Sequence, residues 1–303
     1  MKNVLVLMAT YNGAPWIESQ LKSIFEQNDV RIKLVISDDC SKDRTREIIQ
    51  SHAQGKDLVL MTNEKPSGTA GANFRKLYRT VDTSGFDFVA LADQDDIWHS
   101  DKISCAIKKL EETGAAGYSS AVTAFWEDGR KKTIQQDPNT TSADFLFEGA
   151  GQGCTFVITA EHFNFVQDYC RKNTATAESL HYHDWLVYLL ARANNKSWHF
   201  DNKPSMAYRQ HTGNEIGSRG GIKAITKRLE LIKNGWYKNQ IEAAAAVYLS
   251  LAPTNQKAVA LANLWRQQIN NGRIKKFLGI TINGRRRLTD RIILALSSAA
   301  GWI

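Results

Sequence analysis

No run of apolar residues in this 303-residue chain approaches the roughly 20 that a helix needs to span a bilayer, so a soluble or peripheral protein is expected. Cysteine is scarce. Cys40, Cys105, Cys154 and Cys170 stand apart without Cys-x-x-Cys spacing, so neither a zinc site nor a disulfide framework is indicated. Reduced thiols in a cytosolic protein are the simplest account. Acidic residues are nearly missing from the end of the chain. From Gly221 to Ile303 there are 3 Asp+Glu against 14 Lys+Arg, which leaves 28 acidic and 25 basic residues for 1–220. The net charge of +8 therefore belongs to the tail, outside any motif-bearing segment, and no nucleic-acid-reading motif accompanies it. A nucleic-acid partner is not expected. No internal repeat is present, and the apolar start Val4 to Met8 is too short for a signal peptide and reads as a first buried strand.

What is present is alternation. Apolar runs at Val4 to Met8, Lys33 to Ile36, Leu58 to Met61 and Phe86 to Ala92 alternate with helical patterns near Trp16 to Gln27, Arg44 to His52 and Asn73 to Val81. This predicts an α/β fold with a mainly parallel sheet and crossover helices. Further helices are expected from Ala160 to about Arg171 and from His183 to Arg192, with Asp184 in the first turn of the second. The segment Phe125 to Thr141, rich in charge and amides, reads as a long loop. Residues 1–220 are expected to form one domain, with a ligand-binding half to about 100, and 221–303 a helical basic region. There, Arg285-Arg-Arg-Leu-Thr-Asp-Arg291 precedes an apolar stretch ending in Trp302. That pattern suits a helix in a membrane interface, or equally a closing helix on the core or on a second subunit.

In parallel sheets, ligands bind beyond the carboxyl ends of the strands. Here those ends carry Thr10-Tyr11-Asn12, Asp38-Asp39, Asn63 and Asp93-Gln-Asp95-Asp96. Carboxylates this crowded repel one another unless a cation sits between them, although a solvated acidic turn gives the same short pattern. Glycines 149, 151 and 153 suit close backbone approach to a ligand.

Taken in order, Ala9-Thr-Tyr-Asn-Gly13, Ser37-Asp-Asp-Cys-Ser-Lys-Asp43, Asn63 through Asn73-Phe74, Ala92-Asp-Gln-Asp-Asp-Ile-Trp98, Gly153-Cys154, His183-Asp184-Trp185 and Tyr208-Arg-Gln-His-Thr-Gly-Asn214 resemble one family. It is that of the family 2 inverting glycosyltransferases with a GT-A fold, within it the rhamnosyltransferase-like enzymes. The likeness covers about residues 3 to 217. It implies a nucleotide-sugar donor, dTDP-L-rhamnose or a UDP-sugar, and a lipid-linked glycan acceptor in bacterial surface polysaccharide assembly. It also implies Mg²⁺ or Mn²⁺ as cofactor.

By this resemblance Asp95 is a metal ligand, with His211 a further one, and Asp93 contacts the ribose or a metal-bound water, while Asp96 fixes the loop. Asp39 meets N3 of a pyrimidine in preference to Asp38, and Thr10, Tyr11 and Asn12 wrap base and ribose. Asn73 and Asn63 are weaker nucleotide contacts, with turn or capping roles as alternatives. Arg209 or Arg219 faces the phosphates, and Trp185 is either a wall under a sugar or part of the helix core. Asp184 is the base, although His183 replaces the first acid of the family's Glu-Asp pair. The Gln-x-x-Arg-Trp signature of processive synthases is missing, which implies one transfer per encounter, at the inner face of the cytoplasmic membrane. A nucleotidyltransferase on the same fold is disfavoured because Ala9 to Gly13 holds no Lys or Arg.

Overall fold

The computed structural model describes residues 1–211, 230–266 and 272–303. Thr212 to Gly221 and Arg219, expected near the phosphates, lie outside the described residues.

Strand β1 (Lys2–Thr10) reads as a continuous apolar run because it is covered on both sides, and Val4 to Met8 are all fully buried. Its alternate side chains separate two cores. Leu5 and Leu7 face a cluster with Phe74, Leu77 and Tyr78, whereas Val4, Val6 and Met8 face one with Ile17, Leu21 and Ile24. Around β1 the chain adds α1 (Ile17–Phe25), β2 (Val30–Asp38), α2 (Thr45–His52), β3 (Leu58–Thr62), α3 (Ala70–Thr80) and β4 (Phe88–Ala92). β2 pairs with one side of β1 and β4 with the other, both parallel. The strand order therefore reverses at β1, and a crevice opens beyond Thr10 and Ala92.

The rest of the chain widens this sheet and adds a second. After β5 (Ile97–Trp98) and α4 (Lys102–Thr113) come β6 (Gly117–Ser120), β7 (Val122–Trp126), β8 (Lys131–Ile134) and β9 (Val157–Thr159). Then follow α5 (Ala160–Lys172), α6 (Thr174–Ser179), α7 (His183–Ala193), β10 (Trp198–Asp201) and β11 (Met206–Gln210). The main sheet runs β10-β6-β9-β4-β1-β2-β3, with β9 antiparallel to both neighbours, and the smaller one β5-β11-β7-β8. Residues 125–141 are thus not wholly a loop. β7 and β8 form an antiparallel hairpin whose turn holds Gly129 at φ 84, and the exposed Lys131 to Thr133 hid the strand.

Helices Trp236–Ser250, Gln256–Arg266, Gly272–Asn283 and Leu288–Ala299 complete the described chain. They close on the first of the two cores: Ile241, Ala244, Tyr248, Trp265, Ile280 and Leu294 belong to the cluster that contains Leu5 and Phe74. The arginines expected as an outer cationic flank are in part turned inward. Arg286 is 5% exposed, donating to Asp144 Oδ2 at 2.9 Å and to the Gly149 carbonyl at 2.8 Å, while Arg285 pairs with Glu148 and Asp290. Asp144 is fully buried and also accepts from Tyr188 Oη at 2.6 Å and Arg192 at 3.3 Å. A buried carboxylate needs such partners, and the tail supplies one of them.

Candidate active site

The strand ends at the crevice, the loop before α3 and the start of α7 line one cavity of about 520 Å³. Thr10, Tyr11, Asp39, Asn73, Asp93, Asp95, Asp184 and His211 all line it, and Asn12 and Arg209 do not. Asn12, at φ 49, instead ties the β1 loop to the β2 loop: its side-chain oxygen accepts from Lys42 N–H at 2.8 Å and its own N–H donates to Ser41 Oγ at 2.9 Å. Arg209 donates from Nε to the Asp95 carbonyl at 2.9 Å and from its backbone to Asp96 Oδ1 at 3.2 Å, with its guanidinium 4.7 Å from the Phe125 ring centre.

The two members of the first acidic pair do different things. Asp38 is fully buried and accepts from Ser41 N–H, Ser41 Oγ and Thr10 Oγ1, which fixes the turn after β2. Asp39 reaches the cavity. Asn63 Nδ2 donates to its Oδ1 at 2.7 Å, and Ser67 donates from its N–H at 2.7 Å and its hydroxyl at 2.8 Å. Asn73 holds this corner together from behind, accepting from Ser37 Oγ at 2.6 Å and donating to the Ser37 carbonyl at 2.9 Å.

The second acidic cluster is graded by depth. Asp95 Oδ2 lies 2.7 Å from His211 Nε2, and the His211 ring stacks on Trp16 with centres 4.0 Å apart. Asp93 also faces the cavity. Asp96 is fully buried, with Oδ2 unpartnered among the described residues. Burial, then the nearby Asp95 and Asp93, push its pKa well above the ordinary carboxyl range. Asp93, Asp96 and Cys154 bring potential ligand atoms within 4.8 Å of one another. Burial holds the Cys154 thiol well up its scale, however, and neither Cys154 nor Asp96 lines the cavity, so this trio does not suit a hard cation. Asp95 and His211, with ligand atoms 2.7 Å apart, offer a carboxylate and an imidazole at the cavity, donor types that fit Mg²⁺ or Mn²⁺.

Asp184 stands in the first turn of α7. Gly153 passes so close that a Cβ there would lie 2.9 Å from Asp184 Cβ, and one at Gly149 would lie 3.2 Å from Trp185 Cα. These two glycines therefore approach the chain itself, although Gly153 also borders the cavity. Trp185 is core, 3% exposed, with its indole N–H donating to the Phe145 carbonyl at 2.7 Å. His183 stacks on Phe74 at 3.9 Å and meets Tyr78 Oη at 2.6 Å. Burial, then the Arg75 charge, lower its pKa to about 3, so it is a neutral anchor beside the carboxylate.

Several site-shaping residues carry no local sequence signal. Gln94 clamps Tyr11, accepting its N–H at 2.9 Å and donating to its carbonyl at 3.0 Å. Arg75 on α3 donates to the Leu180 and His181 carbonyls and to Glu178, which also receives Arg79. This fixes the approach to α7, and with it Asp184. No Lys or Arg is among the described cavity-lining residues, whereas four carboxylates are. Four carboxylates facing one cavity repel an anionic ligand unless a positive charge answers them.

The family model described as Glycosyl transferase family 2 matches residues 5–169. The chain is 43% identical over 242 residues to dTDP-rhamnosyl transferase RfbG of Shigella flexneri, covering 78% of this chain and 83% of that protein. It is 32% identical over 107 residues to the Escherichia coli UDP-Glc:alpha-D-GlcNAc-diphosphoundecaprenol beta-1,3-glucosyltransferase WfgD, covering 35% of this chain and 40% of that one. The crystal structure of S. aureus TarS 1-349 in complex with UDP-GlcNAc superposes with a TM-score of 0.61 at 16% identity, covering 100% of this chain and 89% of that one. The last likeness shows the fold.

Proposed function

Because the chain belongs to glycosyl transferase family 2, we propose that it moves L-rhamnose from dTDP-L-rhamnose onto a lipid-linked glycan in bacterial surface polysaccharide assembly. It does so as a non-processive, inverting enzyme at the inner face of the cell membrane. The observation that carries the reading is that Asp39, Asp93, Asp95, His211 and Asp184, drawn from four parts of the chain, line one cavity. The donor sugar and the polysaccharide context follow the named relatives, one of which is a dTDP-rhamnosyl transferase and another an enzyme of a diphosphoundecaprenol-linked substrate.

Each residue then has work that its surroundings allow. Asp39, held by Asn63 and Ser67, accepts the N3–H of the thymine ring, and Thr10 and Tyr11 border the nucleoside. Asp95 and His211 would hold Mg²⁺ or Mn²⁺, which when bound supplies Lewis-acid stabilisation of the departing diphosphate, and Asp93 contacts the ribose or a metal-bound water. Asp184 removes the acceptor hydroxyl proton as that oxygen attacks the anomeric carbon from the face opposite the leaving group, so a β-linked donor gives an α-linked product. A UDP-hexose donor is the second reading: a carboxylate at Asp39 accepts N3–H from uracil as well as thymine, and WfgD is named for UDP-Glc.

Thermal stabilisation across a panel of nucleotide sugars with Mn²⁺ or Mg²⁺ separates these readings. The expected result is a metal-dependent shift with dTDP-L-rhamnose. A shift with UDP-glucose alone moves the assignment to the second donor, and no shift with any donor overturns the enzyme reading.

A further inference from the structure

Among the described residues eleven large apolar side chains are exposed, and eight of them lie in the final two helices and the residues just after them. Their spacing is regular. Ile274, Leu278 and Ile282 repeat every four residues along Gly272–Asn283, and Leu288, Ile292 and Leu296 do the same along Leu288–Ala299. Residues four apart share a helix face, so each helix carries an outward apolar ridge, and the two helices pack on one another. Ile274 is 72% exposed and Ile282, Leu288 and Leu296 are 60% or more exposed. A contiguous apolar surface of this kind on a soluble fold is a contact site.

The charge around the ridges selects the partner. Residues 272–303 hold seven Lys+Arg and a single acid, Asp290, and that acid is occupied by Arg285. Arg273 and Lys275 are exposed beside the first ridge, Arg287 and Arg291 are half-buried beside the second, and Trp302 is 40% exposed with Lys233 Nζ 5.0 Å from its ring centre. A two-fold contact between copies would bring this patch onto itself, cation against cation, with no exposed acid to answer it. An anionic bilayer answers both features, taking the ridges below the headgroups and the cations at their level.

We infer that the helices Gly272–Asn283 and Leu288–Ala299 form a two-ridge docking face for an anionic lipid surface. The inward turn of Arg285 and Arg286 divides the tail between two tasks: these two fasten the hairpin to the core, and the remaining cations and the ridges face outward. The inference deepens the proposed function only in naming what brings the enzyme to a lipid-linked acceptor.

Co-sedimentation of the full chain with phosphatidylglycerol/phosphatidylethanolamine vesicles tests it, with phosphatidylcholine vesicles as the neutral comparison. The chain should bind the anionic vesicles and release as salt rises. Leu278→Glu combined with Ile292→Glu, both at exposed positions, should weaken binding at least tenfold while leaving the melting temperature and the donor-dependent thermal shift unchanged. Equal binding by the double variant overturns the inference, as does failure of the parent chain to bind anionic vesicles. Self-association in solution that the same substitutions abolish assigns the face to a second copy and also overturns it. Vesicle binding without any donor shift would instead count against the donor reading and leave the docking face standing.

Discussion

His211 Nε2 lies 2.7 Å from Asp95 Oδ2, joining the residue just after β11 to the acidic loop after β4 across 116 positions. Trp16, from the opposite end of the chain, stacks on the same imidazole. The ring is therefore held by stacking, with its Nε2 edge aimed at the carboxylate. Asp95→Asn should lower transfer by about 10²–10³-fold, the scale of losing one charged group that meets developing charge. His211→Ala should cost about 10–100-fold, chiefly through weaker metal affinity. A metal titration of the rate at fixed donor measures both, and unaltered metal dependence in His211→Ala would remove that residue from the ligand set.

Asp184 has a different expected signature. Asp184→Asn keeps shape and loses basicity, so kcat should fall by about 10²–10⁴-fold, the usual contribution of a positioned base. The donor's metal-dependent thermal shift should persist, because the role proposed for Asp184 lies on the acceptor side. Loss of the donor shift together with activity would show that the carboxylate holds the donor and not the proton.

The approach to Asp184 rests on Arg75, 3% exposed, whose Nε meets Glu178 Oε2 at 2.7 Å. Burial pushes the Glu178 carboxyl up, and hydrogen bonds from Arg79 and Arg75 outweigh it, so the net pKa is lowered. Arg75→Met leaves the Leu180 and His181 carbonyls without their donor as well. The expected loss of stability is about 2–3 kcal/mol, below the ~3–5 for breaking a fully buried pair because Glu178 keeps part of its surface in water. Urea unfolding measures it.

Acid sensitivity should come from two buried imidazoles. Burial, then the Arg75 charge, lower the pKa of His183 to about 3; for His162, burial outweighs the Val187 carbonyl and lowers it to about 4. Both are neutral when folded and take up protons more readily once unfolded. Their folded pKa values lie below the ordinary 6.5, so the stability they permit is complete above about pH 6.5 and declines as pH falls toward 4. Melting temperatures across that window should drop, and His162→Gln should flatten part of the slope. A melting temperature constant from pH 7 to 4 would contradict the buried neutral state.

How much of this was open to inspection in the chain alone follows from the range of each interaction. Strands β1 to β4 and the helices between them were legible because burial repeats every two or 3.6 residues within the element itself. Asp39, Asp93, Asp95 and Asp184 were legible as positions because each ends a strand or starts a helix. Their partners were not. Trp16 on His211, Gln94 on Tyr11 and Arg75 on Glu178 are set by sheet order, which no local pattern encodes. Arg285 and Arg286 sit in a basic run that reads as solvated, yet the burial of Asp144 and Glu148 from a distant segment draws them inward. The β7–β8 hairpin was hidden too, because Lys131 to Thr133 of β8 face water and so lack apolar alternation.

Lys102 is the remaining test of the acidic strand end. It is fully buried on α4, its Nζ has no hydrogen-bond partner among the described residues, and it sits 3.9 Å from the Trp98 ring centre. Burial lowers its pKa to about 7, with Cys154 and Asp96 pulling weakly the other way. Since the unfolded chain holds that proton up to about 10.5, the fold should gain stability as pH rises from 7 to 10. Lys102→Met preserves the stem and removes the uncompensated charge, and replacing a poorly paired buried ion by an apolar residue of like volume is neutral or stabilising by about 1–4 kcal/mol. The variant should therefore melt at the same or a higher temperature at pH 7, and the stability gain between pH 7 and 10 should be reduced. If it melts lower by more than a few degrees, the ammonium is a needed counter-charge beneath Asp96, and the acidic strand end depends on it.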